Sequence, residues 1–228
     1  MRTVGVIGGL GPETTANFYI DLVYLCQEKY REVRPRIIIS SLPVTYDMGK
    51  DLILNNNGIE RYLPYMVEEA KRLEKSGCDF LVIPCNSVHE YIDEVRESVN
   101  IPVLSILEET AKFLLKNKIE KTGIVSTTST VKNKLYDGIL ERNGIEFKTP
   151  SEEDQRILEK IVMNTTYGEK TLEDKAHLIQ VINRFEDVDC VLLACTDFQL
   201  LKPLEAKTRI LDTMNILAIA TADEIFKK

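Results

Sequence analysis

The sequence predicts an α/β protein of two similar lobes, each a mainly parallel sheet flanked by helices, with an active site in the cleft between them. Short β-branched runs alternate with longer helical patterns from end to end, the signature of βα units around a parallel sheet. The opening of the first half, VGVIGGLGP over Val4 to Pro12, is echoed by TGIVSTTST over Thr122 to Thr130. Each half then closes on an apolar strand ending in cysteine and a polar residue: LVIPCN, Leu81 to Asn86, and VLLACT, Val191 to Thr196. The Gly5-to-Cys85 and Gly123-to-Cys195 spacings nearly match, as two copies of one plan would.

In chain order, strands are expected over Thr3 to Ile7, Arg36 to Leu42, Asp79 to Pro84, Val103 to Ser105, Thr122 to Ser126, Glu146 to Lys148, Cys190 to Ala194 and Arg209 to Leu211. Helices fill most of the gaps. The segments Glu13 to Arg31, Gly58 to Lys75, Val131 to Arg142 and Leu172 to Phe185 carry apolar residues at three- and four-residue intervals, which gathers them on one helix face. Glu13 suits the first turn of its helix, where a carboxylate meets the positive end of the dipole. No Ser/Gly/Pro linker divides the chain. We expect a first lobe over 1–101 and a second over 102–211, with the C-terminal helix (Thr213 to Phe226, within 212–228) returning to the first.

Composition narrows the function. The 228 residues are 44% hydrophobic and 29% charged, enough apolar matter to bury a full core and too much for disorder. No apolar stretch approaches the ~20 residues of a spanning helix. The N-terminus runs directly into a strand without signal-peptide features, so a cytoplasmic protein is expected. Five cysteines, an odd number without a C-x-x-C pair, read as free thiols. A formal charge of -7 repels nucleic acid and anionic membranes. A small anionic ligand would need cations or amides supplied locally.

In parallel sheets, ligands bind beyond the carboxyl ends of the strands, the position of both Cys85 and Cys195. Ser87 and Glu90 form an S-x-x-E capping box, predicting a helix directly after Cys85. Its amide dipoles would lower the thiol pKa from about 8.5 toward neutrality. Taken singly, either cysteine reads as a small buried hydrophobe. Their equivalent positions, each followed by a hydrogen-bonding residue, fit a cleft with one sulfur on each wall. Two opposed thiols suit inversion at a carbon, one removing a proton from one face and the other returning one to the opposite face.

The motifs GGLGPETT (Gly8 to Thr15), PCNSVH (Pro84 to His89), YGEK (Tyr167 to Lys170) and ACTDF (Ala194 to Phe198) resemble those of the aspartate/glutamate racemase superfamily, and most of all its cofactor-independent aspartate racemase branch. The resemblance implies that Cys85 and Cys195 are the acid/base thiols. It likewise implies that Asn86, Ser87, Thr127, Thr130 and Thr196 donate to the α-carboxylate and amino group, that Lys170 helps hold an acidic side chain, and that the Gly9 to Gly11 loop floors the cleft. It further implies L- and D-aspartate as substrates, with glutamate a possible second, a homodimer, and neither pyridoxal phosphate nor metal. Met48 stands where many aspartate racemases have an arginine for the distal carboxylate. Lys50 is the candidate substitute, although a lysine is a point charge and cannot make a bidentate contact.

Other readings have less behind them. The glycine-rich Gly8 to Gly11 loop does not complete G-x-G-x-x-G, since position 14 is Thr, and no P-loop is present. Cys85 and His89 alone make no metal site. His89 either tunes the Cys85 thiol or is a satisfied structural histidine, His177 reads as structural or solvent-facing, and Cys26, Cys78 and Cys190 read as core or strand residues. A non-catalytic two-lobed binding protein would not need paired thiols. Sibling reactions in the same superfamily, glutamate or hydantoin racemisation, maleate isomerisation and arylmalonate decarboxylation, stay open.

Overall fold

The computed structural model describes residues 1–31, 33–55 and 58–227, with the backbone alone for 52–55. β1 (Val4–Gly8), β2 (Ile37–Ser41), β3 (Phe80–Val82) and β4 (Val103–Leu104) form one parallel sheet in the order β2-β1-β3-β4. β5 (Lys121–Ser126), β6 (Glu146–Lys148), β7 (Cys190–Ala194) and β8 (Ile210–Asp212) form a second parallel sheet in the order β6-β5-β7-β8. The two orders are the same plan used twice. Each predicted strand is present, within a few residues at its ends.

The helices are α1 (Pro12–Lys29), α2 (Tyr46–Asn55), α3 (Leu63–Lys75), α4 (Ile92–Glu97), α5 (Ile106–Lys116), α6 (Thr128–Lys132), α7 (Asp137–Arg142), α8 (Glu152–Thr166), α9 (Leu172–Asn183) and α10 (Thr213–Ile225). Strand residues alternate between two covered faces, as both sides of a parallel sheet require. Val4, Val6, Phe80 and Val82 share a core with Ile124, Cys190 and Leu192 of the other sheet. Ile7, Leu81 and Ile83 pack outward with Met66, Ala70 and Leu73 of α3. On the second sheet, Val125, Val191 and Leu193 meet Leu158 and Ile161 of α8 and Leu178 and Val181 of α9.

α10 packs against α1 and α5 and also touches β7 and β8. Its buried Met214, Ile216, Leu217, Ala218, Ala222 and Ile225 leave little polar face, as befits a helix enclosed by neighbours. Residue 228 of the expected C-terminal segment lies outside the described residues. Among the described residues, no helix is long and apolar enough to cross a membrane.

Two expected helices are interrupted. The segment from Gly58 starts with a 3-10 turn, Ile59–Tyr62, before α3, whose first turn contains Pro64. Proline there gives up only an amide that the helix cannot use. The run from Val131 to Arg142 breaks between α6 and α7, where Lys134 takes a φ of 52° and the Leu135 amide donates to the Thr130 carbonyl. This turn directs Tyr136, 1% exposed, into the shared core.

Candidate active site

The carboxyl ends of β1, β3 and β7 converge on a cavity of about 260 Å³. Its wall includes Gly9, Leu10, Gly11 and Glu13 after β1, and Cys85, Asn86 and Ser87 after β3. Cys195, Thr196 and Asp197 after β7, with Thr127 after β5, face the same space. The loop after β1 comes close to its neighbours because Gly9 and Gly11 both take a φ of 82°. Thr15 holds it, accepting from the Gly9 amide at 3.0 Å and donating to the Gly11 carbonyl at 2.9 Å.

Both sulfurs line this one cavity, and the Cys85 charge adds only slightly to the effect of burial on Cys195. The Ser87 and Val88 amides are directed at Cys85, as expected of a helix-like start. Burial nevertheless outweighs them and pushes the Cys85 thiol up to about 11. Cys195 is raised well above the ordinary thiol range, first by burial and then by Asp197, against the Asp197 and Phe198 amides. The expectation of a near-neutral Cys85 thiol is thus corrected: removal from water dominates. The Cys195 thiol donates to Asp197 Oδ2 at 4.0 Å. Burial and the nearby Glu13 charge push the Asp197 carboxyl up to about 7.

The predicted capping box does not form. Residues Ser87–Tyr91 make a 3-10 turn whose start carries no side-chain cap, and α4 begins only at Ile92. Ser87 Oγ lies instead 3.0 Å from Thr127 Oγ1 and 3.4 Å from Thr130 Oγ1, which are themselves 3.0 Å apart. Glu90 accepts from Asn133 Nδ2 at 2.5 Å. Both members of the expected box are therefore drawn toward the second sheet's helices, and the Ser87 and Thr127 hydroxyls meet at the cavity wall with that of Thr130 behind them.

Asn86, 2% exposed, is tied at both ends of its amide. Its Oδ1 accepts from the Tyr136 hydroxyl at 2.6 Å, and its Nδ2 donates to Thr213 Oγ1 at 3.1 Å. Thr213 in turn donates to the Leu193 carbonyl at 2.9 Å. One N–H of the amide is left over from these contacts for a ligand. Tyr136→Phe preserves the ring and strands a buried acceptor, so urea unfolding is expected to show a loss of about 1–3 kcal/mol.

His89 resolves as structural. Its Nε2 accepts from the Ile106 amide at 3.0 Å, which leaves Nδ1 as the protonated nitrogen, donating to the Cys85 carbonyl at 2.7 Å. Burial lowers its pKa to about 4. Between pH 4 and the ordinary value near 6.5, the unfolded chain carries the extra proton, so His89 makes stability rise with pH. Asp197, with its raised pKa, acts in the opposite sense between about 4 and 7. Urea titrations are expected to show Asp197→Asn gaining on the parent chain as pH rises through that window, and His89→Gln gaining as pH falls.

Of the expected site residues, the cavity brings together Cys85, Cys195, Gly11, Asn86, Ser87, Thr127 and Thr196. Thr130 sits behind them in the hydroxyl cluster. Lys50 and Lys170 do not line it. Both are exposed, and Lys170 Nζ donates to the carbonyl of Leu200, a wall residue, at 3.3 Å. Asp197, which the sequence offered only as a mark of the aspartate branch, and Tyr136 were given no role in the site. The first stands two residues past Cys195 in ACTDF, where its spacing was a usable signal. The second left none, because its contact with Asn86 spans the two sheets.

A family model described as Asp/Glu/hydantoin racemase matches residues 7–221. The chain belongs to this family. It is 26% identical over 225 residues, 96% of each chain, to the broad specificity amino-acid racemase RacX of Bacillus subtilis. The crystal structure of a putative Asp/Glu racemase from Yersinia pestis superposes with a TM-score of 0.84 at 25% identity, covering both chains fully. An aspartate racemase homologue from Pyrococcus horikoshii gives a TM-score of 0.80 at 26% identity, again with both chains covered.

Proposed function

We propose that this racemase-family chain inverts the α-carbon of an amino acid without a cofactor, using Cys85 and Cys195 as its two bases. The observation that supports it is the presence of both thiols on one cavity wall system, after equivalent strands of two like-ordered sheets. One sulfur, as thiolate, takes the Cα proton and becomes a thiol. The C–H electron pair stays on the substrate, spread toward its carboxylate, and the opposite thiol delivers its proton and becomes the thiolate.

The raised thiol pKa values make the resting pair predominantly neutral at pH 7. A bound zwitterion brings an ammonium group into the cavity and favours the thiolate by direct attraction. Asp197, placed to accept the Cys195 proton, offers a second route to it. The Asn86 amide and the hydroxyls of Ser87, Thr127 and Thr196 are the fixed donors that can hold the carboxylate as charge develops. The same reading carries a homodimer, for which exposed Tyr19, Ile20 and Tyr24 on α1 give an apolar face.

Incubating the protein with individual L-amino acids in heavy water, with no added cofactor, tests the reaction. Loss of optical rotation together with deuterium at Cα is the expected result for at least one amino acid. Absence of both with every amino acid contradicts it.

A further inference from the structure

The side-chain end of the substrate is a separate matter, and here the wall argues against aspartate. Among the described residues, the cavity is lined by two carboxylates, Glu13 and Asp197, and by no lysine or arginine. Met48, at the position where a cation was sought, is 4% exposed and packs in the apolar cluster with Ile7, Leu42 and Tyr62. Lys50 and Lys170 lie outside the wall. A second carboxylate on the substrate would therefore enter a partly desolvated space whose wall carries carboxylates and no cation, with Lys170 outside it on the Leu200 carbonyl at 3.3 Å.

The two carboxylates are neighbours. Asp197 Oδ1 lies 3.3 Å from where a Cβ on Gly11 would stand, two residues before Glu13. Glu13 also contributes to the raised pKa of Asp197, a repulsion that a cation near both would relieve. Asp197 stands beside Cys195, whereas Glu13 is exposed in the first turn of α1 and reaches the cavity from its solvent side. Leu10, Leu42, Val44, Val162 and Leu200 supply apolar wall, a surface for a methylene chain.

We infer that this cavity selects amino acids with a positively charged group on an aliphatic side chain, that Glu13 receives this group, and that aspartate and glutamate are poor ligands. The inference rests on the racemase reading for its turnover arm and stands without it for binding. Glu13 is a specificity-determining residue here, and the α-ammonium is left to Asp197.

L-Lysine, L-norleucine, which has a similar chain length without the charge, and L-aspartate are the probes. The kcat/KM for racemisation and the calorimetric Kd are both expected to rank lysine ahead of norleucine and norleucine ahead of aspartate. Glu13→Gln is expected to lower the lysine-to-norleucine ratio about two- to fivefold, the range of a solvent-exposed ion pair. Aspartate equal to or better than lysine in either assay overturns the inference. So does a lysine-to-norleucine ratio that Glu13→Gln leaves unmoved. Binding in the predicted order without turnover of any amino acid upholds the charge selection and removes the racemase reading instead.

Discussion

Cys85→Ser and Cys195→Ser are each expected to reduce racemisation by about 100- to 10,000-fold, the range for loss of a positioned acid or base. A serine hydroxyl is nearly the size of the thiol, so the cavity should keep its shape, but it is far harder to ionise. Because the two sulfurs work as one pair, the double variant should lose little beyond either single one. Cys26→Ser is the comparison. Its thiol is buried in the shared core and pushed up to about 11, yet is absent from the cavity wall, so any effect should appear in stability. Near-parental turnover in both single variants would return Cys85 and Cys195 to the role of small core residues.

Gly9→Ala is expected to have the largest effect of any one-methyl substitution at the site. With φ at 82°, a new Cβ would stand 2.5 Å from the Leu42 amide nitrogen and 2.8 Å from the Leu42 carbonyl oxygen. These are backbone atoms, and the Leu42 amide already donates to the Gly8 carbonyl at 3.0 Å. Neither can swing aside as a side chain does. A destabilisation of about 3 kcal/mol or more in urea is expected, with a further loss of kcat/KM as the loop leaves the cavity. Gly144→Ala provides the contrast: its φ is 67° but a Cβ there meets nothing within 4 Å. It should cost about 1 kcal/mol, the conformational penalty alone. Equal losses for the two would show that the close approach at Leu42 is unimportant.

The sheets were legible because parallel strands buried on both faces read as short apolar runs, which β1 (VGVIG) and β7 (CVLLA) are throughout and β5 is at Ile124 and Val125. The repeat was legible for a related reason: cysteine and a polar residue close equivalent strands in both halves. Contacts made across the halves were not. Ser87 and Glu90 satisfy the local rule for a capping box, but Thr127, Thr130 and Asn133 capture them from the other side. The thiol pKa misled for a similar reason, since neighbouring amides can be inferred locally and desolvation depends on everything packed around the sulfur. His89 likewise needed Ile106 to fix its role. Lys50 and Lys170 belonged to recognisable positions, yet neither side chain lines the wall.

The decisive quantity is where solvent hydrogen goes in the first few per cent of turnover. A racemisable L-amino acid converted in heavy water should give D-product carrying deuterium at Cα, while the recovered L-enantiomer keeps its original hydrogen, since the second thiol protonates from the face opposite the first. Early deuterium in the recovered L-enantiomer, or original hydrogen transferred into the D-product, would mean that a single base serves both faces and would contradict the two-thiol account.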